Sequence, residues 1–173
     1  MTQHHTVLGF SRTAIALALL GGAASSAFAQ VGKSQGVVDT NTASEQALVA
    51  MPHMTPPVVK ALIAARPFGS VVELNKFLLG QKLTQEQANQ FYGKAFVHVN
   101  LNTATPQEIL LIPGAGKRMA HEFEEYRPWR TWTQFEKEIG KYVNAQEVAR
   151  LAQYAFIPVN LNTATDADIL SIP

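Results

Sequence analysis

The feature that most constrains this chain is an internal repeat. Val38-Asp39-Thr40-Asn41-Thr42-Ala43-Ser44 returns as Val99-Asn100-Leu101-Asn102-Thr103-Ala104-Thr105, and again as Val159-Asn160-Leu161-Asn162-Thr163-Ala164-Thr165. The offset is 61 residues between the first two copies and 60 between the second and third. The one-residue change falls near Leu79, because Leu78 matches Ile139 at the longer offset and Gly80 matches Gly140 at the shorter. Pro52 with Pro113, Arg66-Pro67 with Arg127-Pro128 and Phe96-Val97 with Phe156-Ile157 extend the match. Self-similarity at a fixed period means copies of one supersecondary unit stacked on one another. The expected organisation is a unit at 38–98, a second at 99–158 and the start of a truncated third at 159–173.

The residues ahead of the repeat carry a different signal. Arg12 precedes an apolar run from Ala14 to Leu20, then Gly-Gly-Ala-Ala and Ala27-Phe28-Ala29. That is the pattern of a secretory signal peptide over 1–29, followed by a linker at 30–37. The run is well short of the roughly 20 residues a spanning helix needs, so no stable membrane span is expected after cleavage. Cleavage after Ala29 would leave 144 residues with 13 basic and 13 acidic side chains. The expected destination lies across the inner membrane, in the periplasm. A strongly cationic coat for nucleic acid is excluded at the level of the whole chain. Having no cysteine, the protein also lacks any disulfide framework, thiol nucleophile or Cys-based metal site.

Within each unit the helix signals are local and legible. Ser44, Thr105 and Thr165 stand where an N-cap oxygen accepts first-turn N–H groups. Thr105 with Glu108 forms a capping-box pattern, with Pro106 at the first helical position. Ile109, Leu110 and Ile112 give an apolar face, and Pro113 ends the helix. A second helix is predicted over about 117–126, stopped by Arg127-Pro128. Ser70…Glu73 and Thr131…Gln134 open a third helix, with Leu74/Leu78 and Phe135/Ile139 inward. Thr84…Gln87 and Asn144…Glu147 open a fourth. Four short helices per unit, with Phe96–Val99 and Phe156–Val159 as extended connectors, make the expected class all-α.

The candidate site is the turn Ile112-Pro113-Gly114-Ala115-Gly116-Lys117-Arg118. Two glycines permit positive φ, so successive N–H groups can converge. They do so at a helix N-terminus, whose free donors and dipole favour an anion. Lys117 and Arg118 add positive charge at the same end. Gly114, Ala115 and Gly116 are the expected backbone donors to a phosphate, read without reference to base sequence.

Leu111-Ile112-Pro113-Gly114-Ala115-Gly116, followed by Ala120 and Arg127, resembles the helix-hairpin-helix motif. With the Val-Asn-Leu-Asn-Thr-Ala-Thr segment and the export signal, residues 38–173 resemble ComEA-type competence proteins, which bind incoming DNA outside the inner membrane. The resemblance implies two hairpins per compact helical domain, weak non-specific binding of double-stranded DNA through hairpin backbone, a part in DNA uptake, and no enzymatic activity or cofactor. Some domains of this kind are instead extrinsic subunits of membrane complexes, as in photosystem II. The zero net charge after cleavage and the hairpin lost from unit one motivate the second reading, a cell-envelope scaffold binding a protein partner and no DNA.

Unit one departs from the pattern. Its equivalent turn is Pro52-His53-Met54-Thr55-Pro56-Pro57, in which prolines replace both basic residues and have no N–H to donate. The second hairpins, Leu79-Gly80-Gln81-Lys82 and Ile139-Gly140-Lys141-Tyr142, have one glycine each. Binding is therefore expected at one hairpin of four. Neutralising about three phosphates gives a log–log salt slope near −2.7. Glu122, Glu124 and Glu125 are expected to oppose closer approach of a duplex. Trp129 and Trp132 could stack on bases, but their repeat partners Phe68 and Val71 favour a core role. Arg66 and Arg127 either reach phosphates or neutralise a helix C-terminus. His121 with Glu124 or Glu125 has metal-compatible spacing but no third ligand, so no metal site is expected. His53 and His98 show no partner in the sequence. Asp166–Ile172 is expected to form an amphipathic helix, either the start of a longer protein's next unit, the favoured reading, or a cap on unit two.

Overall fold

Side-chain caps decide where the helices begin. In the computed structural model, which describes residues 36–160, 162, 164 and 166, Ser44, Ser70, Thr84, Thr105, Thr131 and Asn144 each accept a bond from a first-turn N–H. At Thr84 and Thr105 the reciprocal bond is also made, from the cap's own N–H to Gln87 and Glu108. The signal segment 1–29, the linker residues 30–35 and residues 167–173 lie outside the described residues.

The element order strand, four helices, strand occurs twice. It begins with β1 (Val38–Asp39), α1 (Glu45–Val49), α2 (Pro56–Ala65), α3 (Val71–Gly80), α4 (Gln85–Tyr92) and β2 (Ala95–Phe96). There follow β3 (Val99–Asn100), α5 (Pro106–Leu110), α6 (Lys117–Glu125), α7 (Trp132–Ile139), α8 (Ala145–Ala152) and β4 (Ala155–Phe156). The architecture is mostly helical. The strands, unforeseen in an all-α reading, pair in parallel: Val38 opposite Ala95, and Val99 opposite Ala155. No helix among the described residues is long and apolar enough to cross a membrane.

The repeated Asn-Thr-Ala segment earns its place by tying distant backbone together. Asn102 accepts from Trp129 N–H at 2.6 Å and donates to Trp129 C=O at 2.9 Å. Asn41 makes the same pair of bonds to Phe68, at 2.8 and 3.0 Å. Each clamp closes just after a cis Arg–Pro bond. Arg127 reinforces the second clamp: its Nε donates to Leu101 C=O at 2.7 Å and its Nη2 to Ala104 C=O. That is a role neither sequence reading of Arg127 named: two of its donors go to the start of the unit rather than to its own helix end. Arg66 differs, with Nε and Nη2 buried and without a hydrogen-bond partner among the described residues.

The units share a core. Phe96, fully buried, meets Tyr92 and, across the junction, Tyr154 at 5.1 Å edge-on. α5 packs on α3. His98, with no visible partner in the sequence, sits 3.3 Å from Asp39. Burial raises the pKa of the Asp39 carboxyl, but the bonds from His98 and from Asn41 N–H outweigh it, so the group lies below its ordinary 3.8. A carboxyl held low contributes stability that is complete above its ordinary value and fades as pH falls through the lower one. Asp39→Asn keeps the turn, since asparagine stands at the equivalent positions 100 and 160. Thermal melts between pH 6 and 3 are expected to show the variant losing less stability than wild type below about pH 4.

Candidate nucleic-acid interface

The turn between α5 and α6 has the conformation its glycines suggest. Gly114 has φ +79°, in the left-handed region, and Gly116 is the N-cap of α6 in extended conformation. Both are exposed, as are Lys117 and Arg118. Ala115 is the correction. Its N–H donates to Ile112 C=O at 2.9 Å, closing the turn, so it has no donor to offer. Among the described residues nothing accepts from the N–H groups of Gly114, Gly116, Lys117 and Arg118. Four amides and two cationic side chains are thus gathered at one helix start.

Arginine side chains complicate the charge. Arg118 lies over the Tyr142 ring at 4.7 Å, with Nε 3.8 Å from Glu122. Arg150, on α8, reaches the same turn: a Cβ built on Gly114 would lie 3.0 Å from its Nη2. Sequence reasoning missed Arg150, which is 36 residues away and whose legible signal is only its spacing from Glu147. That pair is bidentate, 2.7 Å in both bonds. The paired guanidinium holds the Glu147 carboxyl below the usual range, despite partial burial. Lys117 alone among the three cations makes no ion pair with the described residues.

Of the acidic side chains beyond the turn, Glu122 is not placed as expected, while Glu124 and Glu125 stay at the surface. Glu122 is buried at 6% exposure rather than facing a duplex. Glu124 sits 3.8 Å from Arg127, and Glu125 3.2 Å from His121. No group of three or more metal-capable side chains occurs among the described residues. Trp129 is buried, at 1% exposure, and donates through Nε1 to Phe123 C=O. Trp132 is half-buried, edge-on to Phe135.

Unit one keeps the bend and loses two of the four donors. His53 holds the left-handed position at φ +63°, and Met54 N–H closes the turn onto Met51 C=O at 3.3 Å. Glycine is therefore not required for the shape. A bond of 2.6 Å between His53 Nε2 and Gln90 Oε1 ties the residue down, at the repeat position of Arg150. Pro56 and Pro57 then open α2 without N–H groups at the equivalents of Lys117 and Arg118.

A groove of about 620 Å³ lies along α7 and α8, lined by Glu136, Val143, Ala145, Val148, Ala149 and Ala152 among others. In unit one the repeat positions of the three alanines are Gln85, Asn89 and Tyr92; Gln85 and Tyr92 both donate to Asn75, and Gln85 also donates to Asn89. No family model matches the sequence, and no curated protein or solved structure matches it.

Proposed function

We propose that this is an exported tandem helix-hairpin-helix protein of the ComEA type, which binds double-stranded DNA weakly and without sequence preference and contributes to DNA uptake. The reading divides the chain into units at 38–98 and 99–158 and places binding in the second. The supporting observation is the left-handed turn at Gly114, which leaves the amides of Gly114, Gly116, Lys117 and Arg118 unpaired at an exposed helix start. Such donors suit phosphate oxygens and carry no base information. Lys117 supplies the free charge, and Ala115 shapes the turn. The protein acts without catalysis or cofactor in this reading.

Fluorescence anisotropy with a labelled random duplex tests it. Wild type is expected to bind at low salt with a log–log slope near −2.7, for about three phosphates. Lys117→Glu is expected to weaken binding at least tenfold, through lost attraction and added repulsion. Gly114→Pro with Lys117→Glu is expected to abolish it, because proline cannot take φ +79°. Unchanged affinity in the double variant would exclude the site.

A specific observation favours a second reading, a cell-envelope scaffold. The α7–α8 groove is lined by alanines where unit one carries Gln85, Asn89 and Tyr92. Capture of an envelope protein by a chain with no duplex affinity would decide for that reading.

A further inference from the structure

Glu122 is one of the buried polar residues that packing alone does not explain. It sits on α6 one turn after Arg118, with its side chain 8% exposed. Its Oε2 is buried and has no hydrogen-bond partner among the described residues. Burying a carboxylate without full pairing is costly, and each such group in a native protein calls for a reason. The shared fold of the units does not require it, because alanine stands at the equivalent position, Ala61, in unit one.

The surroundings supply a reason. Glu122 Oε1 is 3.8 Å from Arg118 Nε, and the Arg118 guanidinium lies 4.7 Å from the centre of the Tyr142 ring. Tyr142 belongs to the other hairpin of the unit, and its hydroxyl is 2.8 Å from that of Tyr126. The Tyr126 hydroxyl, and then Glu122, raise the Tyr142 pKa well above the ordinary phenol value, so the ring stays neutral. None of this exists in unit one, where the repeat positions of Arg118, Glu122, Tyr126 and Tyr142 are Pro57, Ala61, Ala65 and Lys82. The four residues differ together, and they differ in the unit whose hairpin has free amides.

We propose that Glu122 and Tyr142 form a latch that steers Arg118, whose side chain stays 73% exposed, so that an anionic ligand at the Gly114–Lys117 turn gains that charge only by breaking the Glu122 ion pair and the ring contact. Glu122 and Tyr142 are positioning residues: they act on the ligand through Arg118. The inference rests on the phosphate-binding reading of the turn. It goes beyond it in assigning a limit on affinity to a buried carboxylate.

The test uses Glu122→Gln and Glu122→Ala, the latter matching unit one, with folding checked by circular dichroism. Both are expected to tighten binding of a random duplex about two- to fivefold at low salt, the scale of one weakly screened ion pair. Both are also expected to steepen the log–log salt slope by about 0.9, as Arg118 takes up one more phosphate. Adding Arg118→Gln should cancel the gain. Tyr142→Phe keeps the ring and should behave as wild type, whereas Tyr142→Leu should behave as the Glu122 variants do. Unchanged affinity on removing Glu122, with Arg118→Gln weakening binding, would overturn the latch and leave the site standing. If no form binds DNA, the site reading falls. The latch is then judged by the Arg118 Nε–Hε resonance without DNA: movement on Glu122→Ala upholds it, and an unmoved resonance overturns it.

Discussion

Trp129→Ala is expected to lower the stability of the protein by about 3–5 kcal/mol, the range for removing a large buried aromatic. The side chain is 1% exposed and lies between Tyr126 and Phe135, with ring centres 6.0 and 5.4 Å away. Its Nε1–H also satisfies Phe123 C=O at 2.8 Å. Two losses therefore combine, a cavity and an unpaired carbonyl. Trp129→Phe separates them. Phenylalanine stands at the repeat position, where Phe68 is also buried, so much of the packing survives while the bond to Phe123 does not. That variant is expected to lose about 1–3 kcal/mol. Urea denaturation followed by circular dichroism gives both values, and equal losses in the two variants would show that packing contributes little.

Asn102→Ala is expected to cost about 2–4 kcal/mol, because it strands the N–H and C=O of Trp129 together in a buried part of the unit. The side chain bridges two segments 27 residues apart, so its loss also loosens the attachment of the α6–α7 connection to the start of the unit. Asn102→Asp should fall between alanine and wild type. A carboxylate still accepts from Trp129 N–H, but it has no donor for Trp129 C=O and faces that oxygen with negative charge. The same ranking is expected at Asn41, whose bonds to Phe68 are the counterparts. Thermal melts of the four variants would test whether one mechanism serves both units, and a neutral Asn102→Ala would refute it.

What the sequence showed and what it hid follow from the range of the interactions. Caps at Ser70, Thr84, Thr105, Thr131 and Asn144 were legible because each is a bond across three residues. The turn at Gly114 was legible for the same reason. The bond that closes the turn was not, and it withdraws the Ala115 amide from any ligand. The parallel ladders were hidden, since two-residue strands carry no periodicity and pair across most of a unit. The asparagine clamps were visible as a repeated motif without a visible purpose. Arg150 and Glu122 were misjudged because their places depend on how α8 and α6 lie against the turn, which spacing along one helix cannot give. His53 shows the reverse case, a left-handed bend kept where no glycine marks it.

The parallel ladders have a consequence for how such a chain can grow. Within each unit the incoming and outgoing strands lie side by side and point the same way, and only Val97 and His98 separate the outgoing strand from its successor. Every unit thus hands the polypeptide onward in the direction in which it arrived, like links threaded along a rod. A further copy can be spliced in at such a joint without reversing the path, so lengthening by whole modules disturbs only the two faces that meet at the splice.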